Sequence, residues 1–273
     1  MYFVTISEMM GTNGEKIARQ VAEGLKYAFY GEAELMKGAA ERGFLNDFKK
    51  LDEKGPALFE KFFSERPKVS LDRLQAVIYE VAKNGDAVFF GRGSQLLLRS
   101  FDCALHVFVS GSTEKRIQRV MEMNQVERGL AERIVSRSDH DKKSFLRFAF
   151  DVDWLNPDLY DVILNTDKLS IDSAVRMVID AARSDGIKAC GIDSVKRLGQ
   201  LAVQRRVESV FLETGISNRT LFFEVEDTDT VRLYGFVTSA EEKEEIERIV
   251  KGIRGVRRVN NELGIFRGPM GGV

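Results

Sequence analysis

Residues 2–28 read YFVTISEMMGTNGEKIARQVAEGLKYA, and this stretch decides the fold class. The apolar, β-branched and aromatic run over residues 2–6 is typical of a strand that is buried on both faces. A glycine turn, Gly11-Thr-Asn-Gly14, follows. Apolar residues then recur at helical spacing: Ile17, Ala18, Val21, Ala22, Leu25 and Ala28. A strand, a glycine turn and a helix in this order predict the opening of an α/β fold.

The same alternation continues as far as Arg183. Further short apolar runs at residues 87–90, 105–109 and 160–164 predict strands. Helical patterns separate them, over 71–83, from 113 to about 123, over 127–137 and from 171 onward, with Ser70, Ser112 or Thr113, and Ser170 placed as N-caps. Short buried strands that alternate with helices imply right-handed crossovers. We therefore predict a three-layer domain with a parallel sheet over residues 1–185.

The pattern changes after residue 183. Residues 184–191 contain two glycines and predict a linker. Beyond it the sequence predicts a helix (194–212), two strands joined by a turn at 226–230, a helix capped by Ser239, and a last strand from Gly255. This α-β-β-α-β order indicates a small α+β domain over residues 192–267. Because each half has its own apolar set, we expect the two domains to fold separately.

Charge and cysteine content narrow the functional classes. The chain has 41 Lys and Arg against 42 Asp and Glu, a net charge of −1, which argues against a nucleic-acid partner. Cys103 and Cys190 suggest neither a disulfide framework nor a zinc site, and we expect both to be core or incidental residues. The N-terminal residues lack a basic region, and no apolar run is long enough for a transmembrane segment. We expect a protein of the reducing cytoplasm.

The glycine turn is the first candidate site. Backbone N–H groups at such a turn, leading into a helix N-terminus, bind phosphate, so Gly11, Thr12, Asn13 and Gly14 are candidate phosphate-binding residues. The chain lacks the full G-x-x-x-x-G-K-[ST] pattern, because Glu15 precedes Lys16 and no Ser or Thr follows the lysine. Taken alone, the turn is better explained as a plain connection between strand and helix.

An ordered series of motifs adds to that signal. They are Val4-Thr-Ile-Ser7, the Gly11–Gly14 turn, Phe29-Tyr30, Phe89-Phe-Gly-Arg-Gly93, Val107-Phe-Val, Glu114-Lys-Arg-Ile-Gln-Arg119, Asp139, Trp154, Tyr160-Asp161, Asn165-Thr166 and Leu169-Ser170. This succession resembles the cytidylate-kinase-like family of P-loop proteins, over about residues 2–183. The resemblance implies a P-loop nucleoside-monophosphate-kinase-like fold that binds nucleotides and uses ATP and Mg²⁺.

The resemblance also implies roles for individual residues. The Gly11–Gly14 turn would surround the donor phosphates. Arg92 would contact the acceptor monophosphate, since a guanidinium fork matches phosphate oxygens. Arg116 and Arg119 resemble arginines of the helix beside the nucleotide, although a solvated helix face explains them equally well.

The stretch Arg137 to Arg147 resembles the family's lid. Asp139 there is followed by Lys142, where the family has an arginine. Asp139, Lys142 and Lys16 are the catalytic candidates, and the metal ligands remain open.

Three positions depart from the family pattern. Relatives commonly carry Ser-Arg where this chain has Ser7-Glu8, Gly-Gly-Arg in place of Asn13-Gly14-Glu15, and Asp in place of Gly31. Acidic groups thus replace basic ones beside the expected phosphates, which works against phosphoryl transfer. Lys16 or magnesium would have to compensate.

The C-terminal segment resembles a BON domain, through Val231-Arg-Leu-Tyr-Gly235-Phe-Val-Thr-Ser239 and Gly255-Val-Arg-Arg-Val259. Such domains are usually non-catalytic and bind ligands, membranes or partners, and the ligand or protein partner here is unknown. Three interpretations follow. The chain is a kinase of a (deoxy)cytidylate-type monophosphate, a catalytically impaired nucleotide sensor or regulator, or a purely structural interaction protein.

Overall fold

A computed structural model describes residues 1–41, 67–216 and 220–266. The chain forms two compact units, one of Met1–Leu35 with Asn84–Gly191 and the other of Met36–Lys83 with Ile192–Val273. The sequence pattern alone placed residues 36–83 in the first domain. The structure instead groups this segment with the C-terminal unit.

The described helices and strands follow one another along the chain as follows. They are β1 (Phe3–Glu8), α1 (Gly14–Leu25), β2 (Ala28–Tyr30), α2 (Glu32–Glu41), α3 (Pro67–Ala82), β3 (Ala87–Phe90), α4 (Ser94–Leu97), β4 (Ala104–Ser110), α5 (Thr113–Asn124), α6 (Arg128–Phe150), a 3₁₀ turn (Pro157–Leu159), β5 (Val162–Asn165), α7 (Ile171–Ala182), α8 (Ile192–Thr214), β6 (Leu221–Asp227), β7 (Thr230–Val237), α9 (Ala240–Lys251) and β8 (Arg258–Ile265).

The first unit is built on a five-stranded sheet in the order β2-β3-β1-β4-β5. Every neighbouring pair in it is parallel, and Ile6 of β1 is in register with Phe90 of β3 and Val107 of β4. The predicted parallel α/β sheet is confirmed. Because β1 lies in the middle of this sheet, the glycine turn that follows it lies at the centre of the sheet's carboxyl edge.

Helices α1 and α7 cover this sheet with the apolar residues that their spacing predicted. Ile17, Ala18 and Val21 of α1 have no exposed surface, and they share a core with Ala174 and Val178 of α7. Covered strands of a parallel sheet are mostly apolar, and in β1 and β4 the buried polar pair Thr5 and His106 is hydrogen-bonded at 2.8 Å.

Helix ends agree with the sequence in part. The Ser170 hydroxyl accepts a hydrogen bond of 3.1 Å from the Ser173 N–H, as expected for the N-cap of α7. The predicted cap Ser70 is wrong, because α3 already begins at Pro67, a residue suited to a first helical turn. Helix α6 runs to Phe150 and is therefore longer than the predicted 127–137.

The expectation for the cysteines holds for Cys103, which is buried, but is wrong in giving the two residues no pairing. Cys103 and Cys190 form a disulfide although 87 residues separate them in sequence. Two backbone hydrogen bonds explain why they meet: the Phe3 N–H donates to the Cys103 carbonyl, and the Cys190 N–H donates to the Met1 carbonyl, each at 2.8 Å. The start of β1 thus brings two distant segments together, which sequence spacing does not reveal.

The C-terminal elements have the predicted α-β-β-α-β order. Their sheet runs β6-β7-β8, with β6 and β7 antiparallel and β7 and β8 parallel. Val231 and Leu233 of β7 are fully buried in a core shared with α8 and α9. Gly235 has a φ of +110°, and a Cβ there would lie 2.1 Å from the Thr220 carbonyl oxygen, so only glycine fits this close approach.

Helix α3 packs along α8 in the second unit. Its apolar side, which includes Leu74, Val77 and Ile78, is almost completely buried. An ion pair of 2.6 Å joins Arg73 of α3 to Glu213 of α8. Within the described residues, no helix is both long enough and apolar enough to cross a bilayer.

Candidate functional site

The loop between β1 and α1 requires glycine at its first bend. Gly11 has a φ of +87°, and a Cβ there would lie 2.6 Å from the backbone oxygen of Arg116. Asn13 follows in the left-handed region with a φ of +60°, a conformation that asparagine tolerates well. The turn therefore approaches helix α5 so closely that position 11 excludes every residue with a side chain.

Buried hydrogen bonds fix the shape of this loop. Thr12 has no exposed surface, and its hydroxyl donates to the Met9 carbonyl at 2.8 Å. The Met9 N–H donates to the Val109 carbonyl of β4 at 2.9 Å, and the Ile17 N–H closes the first helical turn on the Asn13 carbonyl at 3.0 Å. The loop is thus a preformed element of the structure.

Arg116 supports the loop from α5. Its side chain is only 1% exposed. Its Nε donates to the Met10 carbonyl at 2.8 Å, and its two terminal nitrogens donate to the Asp139 carboxylate at 2.9 and 2.6 Å. This forked pair joins two candidate residues, one on α5 and one on α6, into a single charged contact.

Arg119 makes a similar contact one turn further along α5. Its guanidinium donates to the Gly11 carbonyl at 3.3 Å and to the Thr166 hydroxyl at 3.0 Å, and it also donates to the Thr166 carbonyl. Both arginines therefore bond to carbonyl groups of the loop. Thr166, which follows β5, is a site residue because it accepts these bonds from Arg119. In the sequence, the only sign of this role was its place in the Asn165-Thr166 motif.

Lys142 of α6 reaches the end of β1. Its ammonium group donates to the Glu8 carbonyl at 2.7 Å. Loss of hydration around the ammonium group lowers the pKa of Lys142, while the nearby carboxylates of Glu8 and Asp139 act in the opposite direction. Lys142 and Arg116 thus donate to backbone carbonyl groups two residues apart, those of Glu8 and Met10.

A carboxylate already lies at the N-terminus of α1. Oε2 of Glu8 accepts a hydrogen bond of 2.7 Å from the Gly14 N–H and lies 3.2 Å from the Thr12 hydroxyl oxygen. A Cβ at position 14 would lie 2.5 Å from Cβ of Glu8, so the glycine makes room for this side chain. The sequence indicated that Glu8 flanks the loop, but not that its carboxylate turns back onto it.

The first turn of α1 carries the other two charges that the sequence singled out. Glu15 is exposed and pairs with Arg19, one helical turn later, at 2.8 Å. Lys16 is also exposed, and among the residues that the structure describes its ammonium group has no carboxylate partner within 4.0 Å. A cation is therefore available beside the loop.

Arg92 lies at the carboxyl end of β3, next to β1 in the sheet. Gly91, Arg92 and Gly93 have φ values of +70°, +57° and +73°, so three successive residues adopt the left-handed region. The Arg92 guanidinium lies 3.3 Å from the Glu32 carboxylate. Such an unusual turn places an arginine at the edge where α/β proteins bind their ligands.

The remaining candidates lie on the exposed side of α6. Arg137 lies 3.8 Å from the Asp141 carboxylate, and Arg147 lies 3.2 Å from that of Asp151. The first pair connects successive turns of α6, and the second joins its last turn to the C-cap residue Asp151. The stretch Arg137 to Arg147 that resembled a lid is therefore helical throughout.

These features define the class of protein. A parallel sheet whose central strand ends in a glycine loop at a helix N-terminus is the arrangement of kinase-like nucleotide-binding folds. The chain belongs to the cytidylate kinase-like family, which matches residues 3–168, and residues 201–265 match the BON domain.

Relatives named cytidylate kinase match the chain at low identity, and a solved structure shares its fold. The chain is 27% identical over 184 residues to a cytidylate kinase of Pyrobaculum neutrophilum, covering 66% of this chain and 92% of that one. It is 26% identical over 191 residues to a cytidylate kinase of Methanopyrus kandleri, with 65% and 92% covered. A crystal structure of an uncharacterized protein from Eubacterium ventriosum matches 67% of this chain and 99% of its own, at 19% identity and a TM-score of 0.54. That likeness supports the fold alone.

Proposed function

We propose that the first unit binds ATP at the Gly11–Gly14 loop and transfers a phosphoryl group to a monophosphate of the (deoxy)cytidylate type. The observation that carries this proposal is the Gly14 N–H, at the N-terminus of the helix that follows the central strand, which donates to a carboxylate oxygen at 2.7 Å. A backbone donor that binds a carboxylate there also suits a phosphate oxygen. The relatives named cytidylate kinase supply the choice of acceptor.

The candidate residues divide into two sets in this proposal. Lys16 and Arg92 are the cations closest to the ligands, with Lys16 toward the donor phosphates and Arg92 toward the acceptor. A second set keeps the loop in shape by bonding to its carbonyl groups or to one another: Arg116, Arg119, Asp139 and Lys142. Arg137 and Arg147 contribute positive charge from α6.

Mg²⁺ fits this site as a companion of the nucleotide. No group of three or more His, Cys, Asp or Glu side chains in the described parts of the chain is arranged to hold a metal by itself. Mg²⁺ in kinases is typically bound by one or two carboxylates together with substrate phosphates. Glu8 is the carboxylate at the loop, and the ion would neutralise charge on the transferring phosphoryl group.

Turnover should be slow even though nucleotide binds. The buried Arg116 and the partly buried Lys142 are hydrogen-bonded to the protein, and Glu8 adds a negative charge where relatives have an arginine. An arginine directed at the transferring group contributes about 10³-fold or more to the rate. In a coupled ADP-release assay with ATP, Mg²⁺ and CMP or dCMP, we expect turnover well below the roughly 1–100 s⁻¹ of typical kinases. Turnover within that range would contradict the expected impairment.

A nucleotide sensor without turnover is the second candidate. The same engagement of Arg116, Arg119 and Lys142 with the protein favours it. In this case the BON domain would transmit the nucleotide-bound state to a ligand or protein partner. Calorimetry with ATP and with each monophosphate separates the candidates from a structural role. Binding without product formation supports the sensor, and no binding of any nucleotide contradicts both.

The cytoplasm is the proposed location, because the proposed donor ATP is abundant there. A stable disulfide is uncommon in that compartment. The Cys103–Cys190 pair allows a test of this location by thiol titration of protein isolated from the native cell. Two free thiols would support a reducing compartment, and none would contradict it.

A further inference from the structure

The phosphate loop carries its own anion. The Gly14 N–H is the first backbone donor of α1 and has no acceptor within the helix. It donates instead to Oε2 of Glu8 at 2.7 Å. The Thr12 hydroxyl lies 3.2 Å from the same oxygen, but its single proton has a closer acceptor in the Met9 carbonyl at 2.8 Å. The contact between Glu8 and Gly14 is therefore the firm one.

Several features build this contact into the local structure. Gly14 lacks a side chain where a Cβ would lie 2.5 Å from Cβ and 2.7 Å from Oε2 of Glu8. The Lys142 ammonium group fixes the backbone of Glu8 by donating to its carbonyl at 2.7 Å. A negative group at the first turn of a helix is also favoured by the helix dipole. The carboxylate therefore has both space and an electrostatic reason to remain there.

We propose that Glu8 determines the affinity of this loop for phosphate, because its carboxylate takes the donor that a phosphate oxygen needs and must move away before phosphate binds. This inference rests on the proposed function. It adds that a ligand with few contacts besides its phosphate group binds this loop weakly. A ligand must offer enough other contacts, or a Mg²⁺ ion that also attracts Glu8, to displace the carboxylate.

Glu15 provides a matched control. It is an acidic residue of the same loop and helix, but it is exposed and pairs with Arg19 at 2.8 Å, not with the Gly14 N–H. Glu8→Ala and Glu15→Ala remove one negative charge each. Only Glu8→Ala also leaves the Gly14 N–H without its carboxylate acceptor. The difference in phosphate affinity between the two variants therefore measures the effect of that hydrogen bond apart from the effect of losing one negative charge.

The experiment measures binding of pyrophosphate and of ATP by calorimetry, without Mg²⁺, to the full chain and three variants. We expect Glu8→Ala to bind each ligand about tenfold to a hundredfold more tightly than the unmodified chain, the factor typical of a charge-assisted hydrogen bond. Glu8→Gln, which keeps an acceptor oxygen without the charge, should fall between the two. Glu15→Ala should change the affinity by less than about threefold, as for an exposed charge.

The chemical shift of the Gly14 amide provides a second test, which does not depend on Glu8→Ala folding correctly. In the ¹⁵N spectrum, the Gly14 amide of the free protein should move upfield in Glu8→Gln, and pyrophosphate should return it downfield. If ATP binds the unmodified chain and Glu8→Ala with equal affinity, or if Glu15→Ala gains as much as Glu8→Ala, the role of Glu8 is refuted and the proposed function stands. If none of the four proteins binds either ligand, the loop is not a phosphate site and both proposals fail.

Discussion

At the scale of single residues, the site is dominated by charges that satisfy one another. Arg116 pairs with Asp139 and donates to Met10, Lys142 donates to Glu8, and Glu8 accepts from Gly14. Each contact is short and largely withdrawn from solvent, where charge-assisted hydrogen bonds are strongest. The backbone of the loop is therefore held in place before any ligand arrives, and a phosphate must displace the Glu8 carboxylate to reach the Gly14 N–H.

Arg92 is the proposed contact of the acceptor monophosphate; its side chain is 21% exposed, and its guanidinium lies 3.3 Å from the Glu32 carboxylate. Arg92→Ala should weaken binding of a monophosphate by about 1.5–3 kcal/mol, because a charge-assisted contact is lost. Its backbone is already in the left-handed region, so the variant should melt within a few degrees of the unmodified chain. Calorimetry with CMP checks the first point, and a thermal melt checks the second. Arg99→Ala, an exposed arginine of the same unit, is the control, and an unchanged affinity in Arg92→Ala would remove that residue from the site.

At the scale of elements, helices α3 and α8 meet along a partly charged seam. Asp72 of α3 is buried and lies 3.4 Å from Arg205 of α8, while one of its carboxylate oxygens has no hydrogen-bond partner among the described residues. Burial, and then the negative charge of Glu208, raise the pKa of Asp72 to about 6, against the opposing effect of Arg205 and Lys68. An ionised carboxylate is therefore poorly accommodated in this seam at neutral pH.

This shift predicts a pH dependence of stability. Between about pH 4 and pH 6 the folded protein holds a proton on Asp72 that the unfolded chain releases, so the free energy of unfolding should fall as pH rises through that window. Asp72→Asn should abolish this part of the slope and stabilise the protein at pH 7 by about 1–2 kcal/mol. Urea unfolding at pH 4.5, 6 and 7 measures it. Glu244→Gln, on the exposed side of α9, should leave the slope unchanged, and an equal slope in Asp72→Asn would contradict the assignment.

At the scale of the whole molecule, the C-terminal unit draws on two distant segments of the chain. Residues 36–83 are inserted between β2 and β3 of the first unit, yet α3 packs on α8 of the second. Ion pairs of 2.6 Å (Arg73 with Glu213) and 3.4 Å (Arg206 with Glu80) reinforce this apolar contact. Each unit therefore combines two segments that are separated in the sequence.

Truncation tests this arrangement. The sequence pattern predicts that the first 185 residues fold separately, but a chain ending at Gly191 would expose the buried side of α3, including Leu74 and Ile78. We expect this shortened chain to aggregate or to bind a hydrophobic dye strongly, because each large apolar side chain left uncovered forfeits about 1.5–3 kcal/mol. Supplying residues 192–273 in trans should restore solubility. A soluble, cooperatively unfolding 1–191 chain would show that α3 does not need α8.

The disulfide closes a long loop of the first unit. Purified protein, unfolded without reductant, should show no free thiol, since the chain contains only Cys103 and Cys190. Cys190→Ser should lower the free energy of unfolding by up to about 4 kcal/mol, because the unfolded chain gains the entropy of an open loop. Thiol titration and urea unfolding measure these effects. The same loss in the unmodified protein under reductant is the control, and two titratable thiols without reductant would contradict the pairing.

The sequence by itself determined the α/β class, the strand–glycine–helix unit at residues 2–28, the α-β-β-α-β order and the cap at Ser170. Each of these depends on neighbours within one or two turns of the chain, so residue spacing reports it directly. Only the tertiary structure decided that Glu8 accepts from Gly14, that Arg116 joins Met10 to Asp139, that Cys103 meets Cys190 and that α3 belongs with α8. Those contacts join residues on separate elements or depend on side-chain direction, and the packing of the sheet and helices determines which of the many possible partners meet.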